Sequence, residues 1–155
     1  MGKLYRRKGS EVKLIVVATD EEYKLAKKRF KRQEIVKTGV GGINILNTLK
    51  EADKGQKITN FGYVGSNVIP IGTEVRVGEC KLYHPNVEYE EPTYKLDGDI
   101  TCYTSNDFVL NTDIKEPVVF DMELAYILAL GFKNVESIKI VSDNLSLSQY
   151  EEEIK

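Results

Sequence analysis

Residues Val12 to Ala18 (VKLIVVA) run without a break into Thr19-Asp20-Glu21-Glu22. The first stretch is almost wholly aliphatic and β-branched, the pattern of a strand covered on both faces. The second is a Thr-x-x-Glu capping box, in which Thr19 and Glu22 satisfy each other's orphan amides at a helix start. A buried strand that turns directly into a capped helix is the opening unit of an α/β fold. The helix is expected over Asp20 to Phe30, with Tyr23, Ala26 and Phe30 on one stripe and Lys24, Lys27, Lys28 and Lys31 elsewhere.

The pattern repeats outward from there. Gln33 to Lys37 reads as a second strand ending in Thr38-Gly39-Val40-Gly41-Gly42, and Ile43, Leu46 and Leu49 set helical spacing over Ile43 to Ala52. Asp53-Lys54-Gly55 is a turn. Ile58 to Val64 is a third strand running into Gly62-Tyr63-Val64-Gly65-Ser66-Asn67. Thr73 to Val77 and Glu79 to Tyr83 read as two extended stretches. Pro85 to Gly98, with Glu88, Tyr89, Glu90, Glu91, Tyr94 and Asp97, reads as a surface excursion. Ile100 to Thr104, Val118 to Phe120 and Ile138 to Val141 are expected strands. Met122 to Leu130 is an expected helix closed by Gly131, and Leu145 to Ile154 a short terminal one. The order implies three α/β layers around a mixed sheet, with a site at the carboxyl ends of its strands.

Composition narrows the function. The chain has 155 residues, 22 Lys+Arg against 24 Asp+Glu, a net charge of −2 and a hydrophobic fraction of 41%. That size reads as one domain, residues 1–155, with enough apolar surface to exclude disorder as the main state. The charge balance argues against nucleic acid as partner, and the lysines and arginines from Lys24 to Arg32 spread around a solvated helix face. No apolar run is long enough for a membrane span. Met1 to Glu11, with Lys3, Arg6, Arg7 and Lys8, lacks a following secretory cleavage pattern. Cys80 and Cys102 stand far apart in no metal or redox spacing and read as free thiols, which makes cytoplasm the expected compartment. No metal and no cofactor are expected.

Each strand end has a plain structural explanation. Capping and the helix dipole account for Glu21 and Glu22. A tight turn accounts for the glycines at 39, 41 and 42, which also have the form of an anion cradle. Asp143 is either a strand-end acid or the N-cap of the tail helix. Glu123, in Phe120-Asp121-Met122-Glu123-Leu124, is either a dipole partner or an acceptor for ligand hydroxyls.

In order along the chain, these pieces resemble the nucleoside phosphorylase/nucleosidase superfamily, most closely the 5′-methylthioadenosine/S-adenosylhomocysteine nucleosidases. Val16 to Tyr23 (VVATDEEY) resembles the first strand and acidic loop, Lys37 to Ile43 (KTGVGGI) the Lys-Ser-Gly-Ile-Gly turn, and Asn60 to Gly65 (NFGYVG) the Asn-Thr-Gly-Ser-Ala-Gly bend. Ile71 to Val75 (IGTEV) is similar to a Val-Gly-Asp segment and Thr104 to Val109 (TSNDFV) to the base-stacking loop. Phe120 to Leu124 (FDMEL) is similar to Val-Glu-Met-Glu-Ala, and Val141 to Asp143 (VSD) to the Ile-Ser-Asp end.

The resemblance implies a nucleoside phosphorylase-like fold, truncated, that hydrolyses the N-ribosidic bond of purine nucleosides such as methylthioadenosine or S-adenosylhomocysteine. It implies Glu22 as the base that activates water and Asp143 as the acid acting at adenine N7. Gly62, Tyr63, Phe108, Val109, Met122, Glu123 and Ser142 would bind the substrate, with Phe108 stacking on the base, the Val109 backbone reading its edge, and Glu123 accepting from the ribose hydroxyls. It also implies a homodimer. Asn60 and the acidic loop favour water over phosphate, since two carboxylates repel a dianion. The chain departs from the pattern in lacking a hairpin between the first helix and Gln33, in a shortened last helix, in a bulky Tyr63 and in Leu124. Two alternatives remain at this point: a non-catalytic nucleoside-binding or assembly protein on the same fold, and a phosphate-dependent phosphorylase.

Overall fold

Strand β1 (Leu14–Val17) is buried along its whole length because it has a helical layer on each face. It lies parallel to β2 (Glu34–Lys37) on one side and to β3 (Lys57–Ser66) on the other. Leu14 and Val16 pack on Ile45 and Leu49 of helix α2 (Gly42–Leu49) and on Ile127 of α3 (Leu124–Ala129). Ile15 and Val17 point the other way, onto Ala26 of α1 (Asp20–Arg29), Phe61 and Ile138. Period-two alternation on one strand thus feeds two cores, which is the three-layer arrangement expected. The computed structural model describes residues 13–85 and 91–154. Met1 to Glu11, Val12 at the head of the first expected strand, and Glu88, Tyr89 and Glu90 lie outside those residues.

Beyond β1 the sheet closes on itself. β3 pairs in parallel with β8 (Asn134–Asp143), and at its far end antiparallel with β7 (Val118–Asp121). β8 pairs antiparallel with β4 (Glu74–Leu82), β4 in parallel with β6 (Ile100–Thr104), and β6 in parallel with β7. These five strands form a ring of mixed direction. β1 and β2 extend outward from β3, and the two-residue β5 (Tyr94–Lys95) edges β4. Each ring strand supplies the central core: Val64 from β3, Val75, Val77 and Cys80 from β4, Cys102 from β6, Val119 from β7 and Val141 from β8. Leu124 and Ala125 of α3 join that cluster. The two cysteines are free and buried.

Some boundaries differ from the sequence reading, each for a local reason. The stretches on either side of Gly78 are one strand, β4, with a bulge between Val77 and Glu79. There the backbones of Gly78 and Gly98 pass so closely that a Cβ on Gly78 would lie 2.2 Å from the Gly98 carbonyl oxygen. β8 starts at Asn134 rather than Ile138, because β3 pairs with it from Lys57 onward. α3 starts at Leu124 rather than Met122, because the Asp121 carboxylate accepts from the Leu124 amide at 2.8 Å and holds residues 122 and 123 out of the helix. The last helix, α4 (Leu147–Glu153), starts after Leu145, whose φ is 65°. Gly131 closes α3 with φ 93°, as expected. Among the described residues no helix is long and apolar enough to cross a membrane.

Candidate active site

The ends of β1, β3, β7 and β8 open into a cavity of about 220 Å³. Eight of the nine residues expected at a site line it: Glu22, Tyr63, Phe108, Val109, Met122, Glu123, Ser142 and Asp143. The ninth, Gly62, does not. It lies behind Glu22, in a narrow crevice also lined by Glu123 and Lys139. A Cβ at Gly62 would sit 2.6 Å from Glu22 Oε2, and one at Gly65 would sit 2.9 Å from Asp143 Oδ2. The two glycines of the β3 bend therefore each make room for one acid, the use to which a strand glycine is often put.

Glu22 reaches this position through the capping box. Thr19 accepts from the Glu22 amide at 3.1 Å, while Glu22 Oε1 accepts from the Ala18 and Thr19 amides at 2.8 and 3.3 Å. Its other oxygen accepts from the Tyr63 amide at 2.9 Å. Burial raises its pKa, against the bonds from the Tyr63 and Ala18 amides and the charge of Lys139. Oε1 thus serves two donors, while Oε2 keeps a second lone pair for another donor.

Glu123 is released from α3 by the Asp121 turn and crosses to the glycine turn before α2, where it accepts from the Gly41 amide at 2.8 Å. The anion cradle suggested by the glycines is thus occupied by a carboxylate of the chain itself. Loss of hydration raises the Glu123 pKa to about 7, with the charge of Asp121 adding to the effect. This gives a prediction. A carboxyl held at about 7 when folded and near its ordinary 4.5 when unfolded takes up protons on folding, so the stability it contributes declines as pH rises through that window. Glu123→Gln removes the charge and keeps an acceptor for Gly41. Thermal unfolding of the variant is expected to show a flatter pH dependence from about 4.5 to 7 and a higher Tm at neutral pH.

Asp143 is a strand-end acid and not the cap of α4. That cap is Ser146, which accepts from the Gln149 amide at 3.3 Å. Asp143 Oδ1 accepts from the Ser142 hydroxyl at 2.8 Å, and Oδ2 from the Leu145 and Ser146 amides at 2.9 and 3.2 Å. Burial raises its pKa although these donors oppose the shift. Ser142 is itself fully buried, so its hydroxyl serves to orient Asp143.

Three lining or supporting residues were not singled out from the sequence. Lys139 on β8 is 2% exposed, and its ammonium lies 3.3 Å from Asp121 Oδ2. Burial works against that charge, but neighbouring negative groups, Asp121 foremost, outweigh it and raise the lysine pKa. Asp121 also accepts from the Thr104 hydroxyl and the Leu124 amide, so the pair is tied to β6, β7, β8 and α3 together. Tyr150 of α4 lines the cavity and meets Phe108 edge to face, ring centroids 5.7 Å apart. Lys139 carried a signal: a charge inside an apolar strand that helices cover must be paired.

No protein-family model and no curated protein matches the sequence. Solved structures do match. The S-adenosylhomocysteine nucleosidase of Streptococcus pyogenes is 20% identical with a TM-score of 0.73, over 96% of this chain and 92% of that one. The 5′-methylthioadenosine/S-adenosylhomocysteine nucleosidase of S. pneumoniae is 19% identical with a TM-score of 0.69, over 91% and 90%. The futalosine hydrolase of Helicobacter pylori is 13% identical with a TM-score of 0.71, over 92% and 91%. With its ring of mixed strands and its cavity at their carboxyl ends, this chain has the nucleoside phosphorylase/nucleosidase fold.

Proposed function

We propose that the protein is a purine nucleosidase that hydrolyses the N-ribosidic bond of adenine nucleosides. The observation that carries this reading is the convergence of Glu22, Glu123 and Asp143 on one cavity with Phe108 on its wall. Breaking that bond leaves cationic character on the sugar and negative charge on the base. A cavity lined by Glu22, Asp121, Glu123 and Asp143 favours the first. Asp143, its pKa raised, supplies a proton or hydrogen bond to N7 of the departing base. Glu22, fixed by three backbone amides, takes a proton from water on the other side of the sugar. Glu123 keeps an oxygen for the ribose hydroxyls, and Met122 lies beside it in the cavity wall.

Water as the nucleophile follows from the same charges. No arginine is among the described lining residues, and Lys139 is already paired with Asp121, so a phosphate dianion would meet carboxylates without a free cation. The test is incubation with methylthioadenosine, S-adenosylhomocysteine, adenosine and inosine, with and without phosphate. Free base is expected at equal rates in both conditions, with an unphosphorylated sugar product. Strict phosphate dependence would instead identify a phosphorylase, and binding without release of base a non-catalytic binder. A homodimer belongs to the same reading. Val40 at the cavity rim, Ile43 and Leu46 form an exposed apolar strip beside the mouth, and sedimentation analysis would measure the assembly.

A further inference from the structure

We propose that Tyr150 is a specificity-determining residue of the cavity, its ring forming with Phe108 a two-sided aromatic wall for a planar base and its hydroxyl donating to the bound ligand. The inference rests on the nucleosidase reading but is carried by separate observations. Phe108 sits on a stretch without regular structure that has a cavity on each side, since it also lines a second cavity with Tyr83 and His84. The Phe108 ring meets that of Tyr150 edge to face, at 5.7 Å and 66°. Helix α4, which carries Tyr150, has no buried residue of its own. Two weakly anchored segments therefore meet at the cavity through one aromatic pair, and a flat ligand can take part in that contact without disturbing the core.

The hydroxyl has a defined chemical character. Burial raises the Tyr150 pKa to about 12, and the charges of Glu22, Glu21, Asp143 and Glu123 act in the same direction. The phenol stays neutral at physiological pH and is available as a donor. In a cavity whose acids are acceptors when ionised, a neutral donor pairs with an acceptor atom of the ligand that those carboxylates cannot serve. A ligand with a flat, uncharged ring system and an acceptor near the Phe108 wall is selected. Groups carrying negative charge are not.

Equilibrium binding of the 7-deaza analogue of methylthioadenosine, which lacks the N7 acceptor for Asp143, measures this without turnover. Tyr150→Leu keeps apolar bulk on α4 but removes the ring, and is expected to weaken binding by about 10–100-fold, the range typical of a lost base–aromatic contact. Tyr150→Phe keeps the ring and loses the donor, with an expected loss of about 3–10-fold. In turnover assays both variants should raise KM with little change in kcat, a split that a purely structural role would not give. Wild-type affinity in Tyr150→Leu overturns the proposal even if hydrolysis is observed. If the wild type binds the analogue but releases no base from substrates, the nucleosidase reading fails while the Tyr150 comparison still decides this one. If the wild type does not bind the analogue, the Tyr150 proposal falls, while release of free base from the substrates still decides the nucleosidase reading.

Discussion

Asp143→Asn is expected to lower kcat by about 10²–10⁴-fold with little change in nucleoside affinity, the usual worth of a positioned general acid. The substitution suits the site. Asparagine Oδ1 can take over the amides of Leu145 and Ser146, while its NH₂ faces the Ser142 hydroxyl, which has the Val64 carbonyl 3.2 Å away as an alternative acceptor. The backbone turn after β8 is therefore kept, and what disappears is the proton. That proton matters when the base departs and not when the nucleoside first binds, so the loss belongs in kcat. Steady-state kinetics with parallel calorimetry checks both halves. Equal turnover by the two forms would remove Asp143 from the chemistry.

Lys139→Met is expected to cost about 3–5 kcal/mol of stability, because it leaves Asp121 in the core without its cation. Heat denaturation should register this as a fall in Tm on the order of 10 °C for a chain of this size. The effect has a pH signature. Lys139 holds down the pKa of Glu22 and Glu123, so its removal raises both. The extra destabilisation should then shrink as pH falls and those carboxyls take up protons. The double change Lys139→Met with Asp121→Asn should recover much of the loss, since removing both charges of a buried pair costs far less than removing one. A single variant as stable as the wild type would show that the ion pair is not a structural element.

The first strand, the capping box and the order of elements were legible in the sequence because each is a local pattern. Leu14 to Val17 alternate between two cores, and Thr19 with Glu22 close a box four residues long. The acids follow strand ends and each has a plain structural explanation alone, so it is the resemblance in order along the chain that points to them as a site. What the sequence concealed depends on contacts between distant segments. Lys139, between Ile138 and Ile140, signals that a partner is needed but not which one. Only closure of the ring brings it to Asp121 on β7. Gly62 and Gly65 read as parts of a Gly-rich bend, whereas each matches an acid arriving from another element, Glu22 from α1 and Asp143 from the end of β8. Tyr150 is not legible because a short polar helix with no apolar stripe gives no indication of what its one aromatic residue faces.

The ring has a consequence for how the molecule is made. β8, the last strand among the described residues, lies between β3 and β4, and the ring stays open until it arrives. As the chain leaves the ribosome, the partners Asn60 and Ser137 are 77 positions apart, on the order of ten seconds of synthesis. For that interval β3 and β4 each present an unpaired edge, the kind of surface that recruits other nascent chains. Chaperone occupancy should accordingly peak on ribosome-bound chains arrested before residue 134 and drop once β8 has emerged. The same strand delivers Lys139, so the negative groups from α1 and β7 stay unneutralised until the barrel closes.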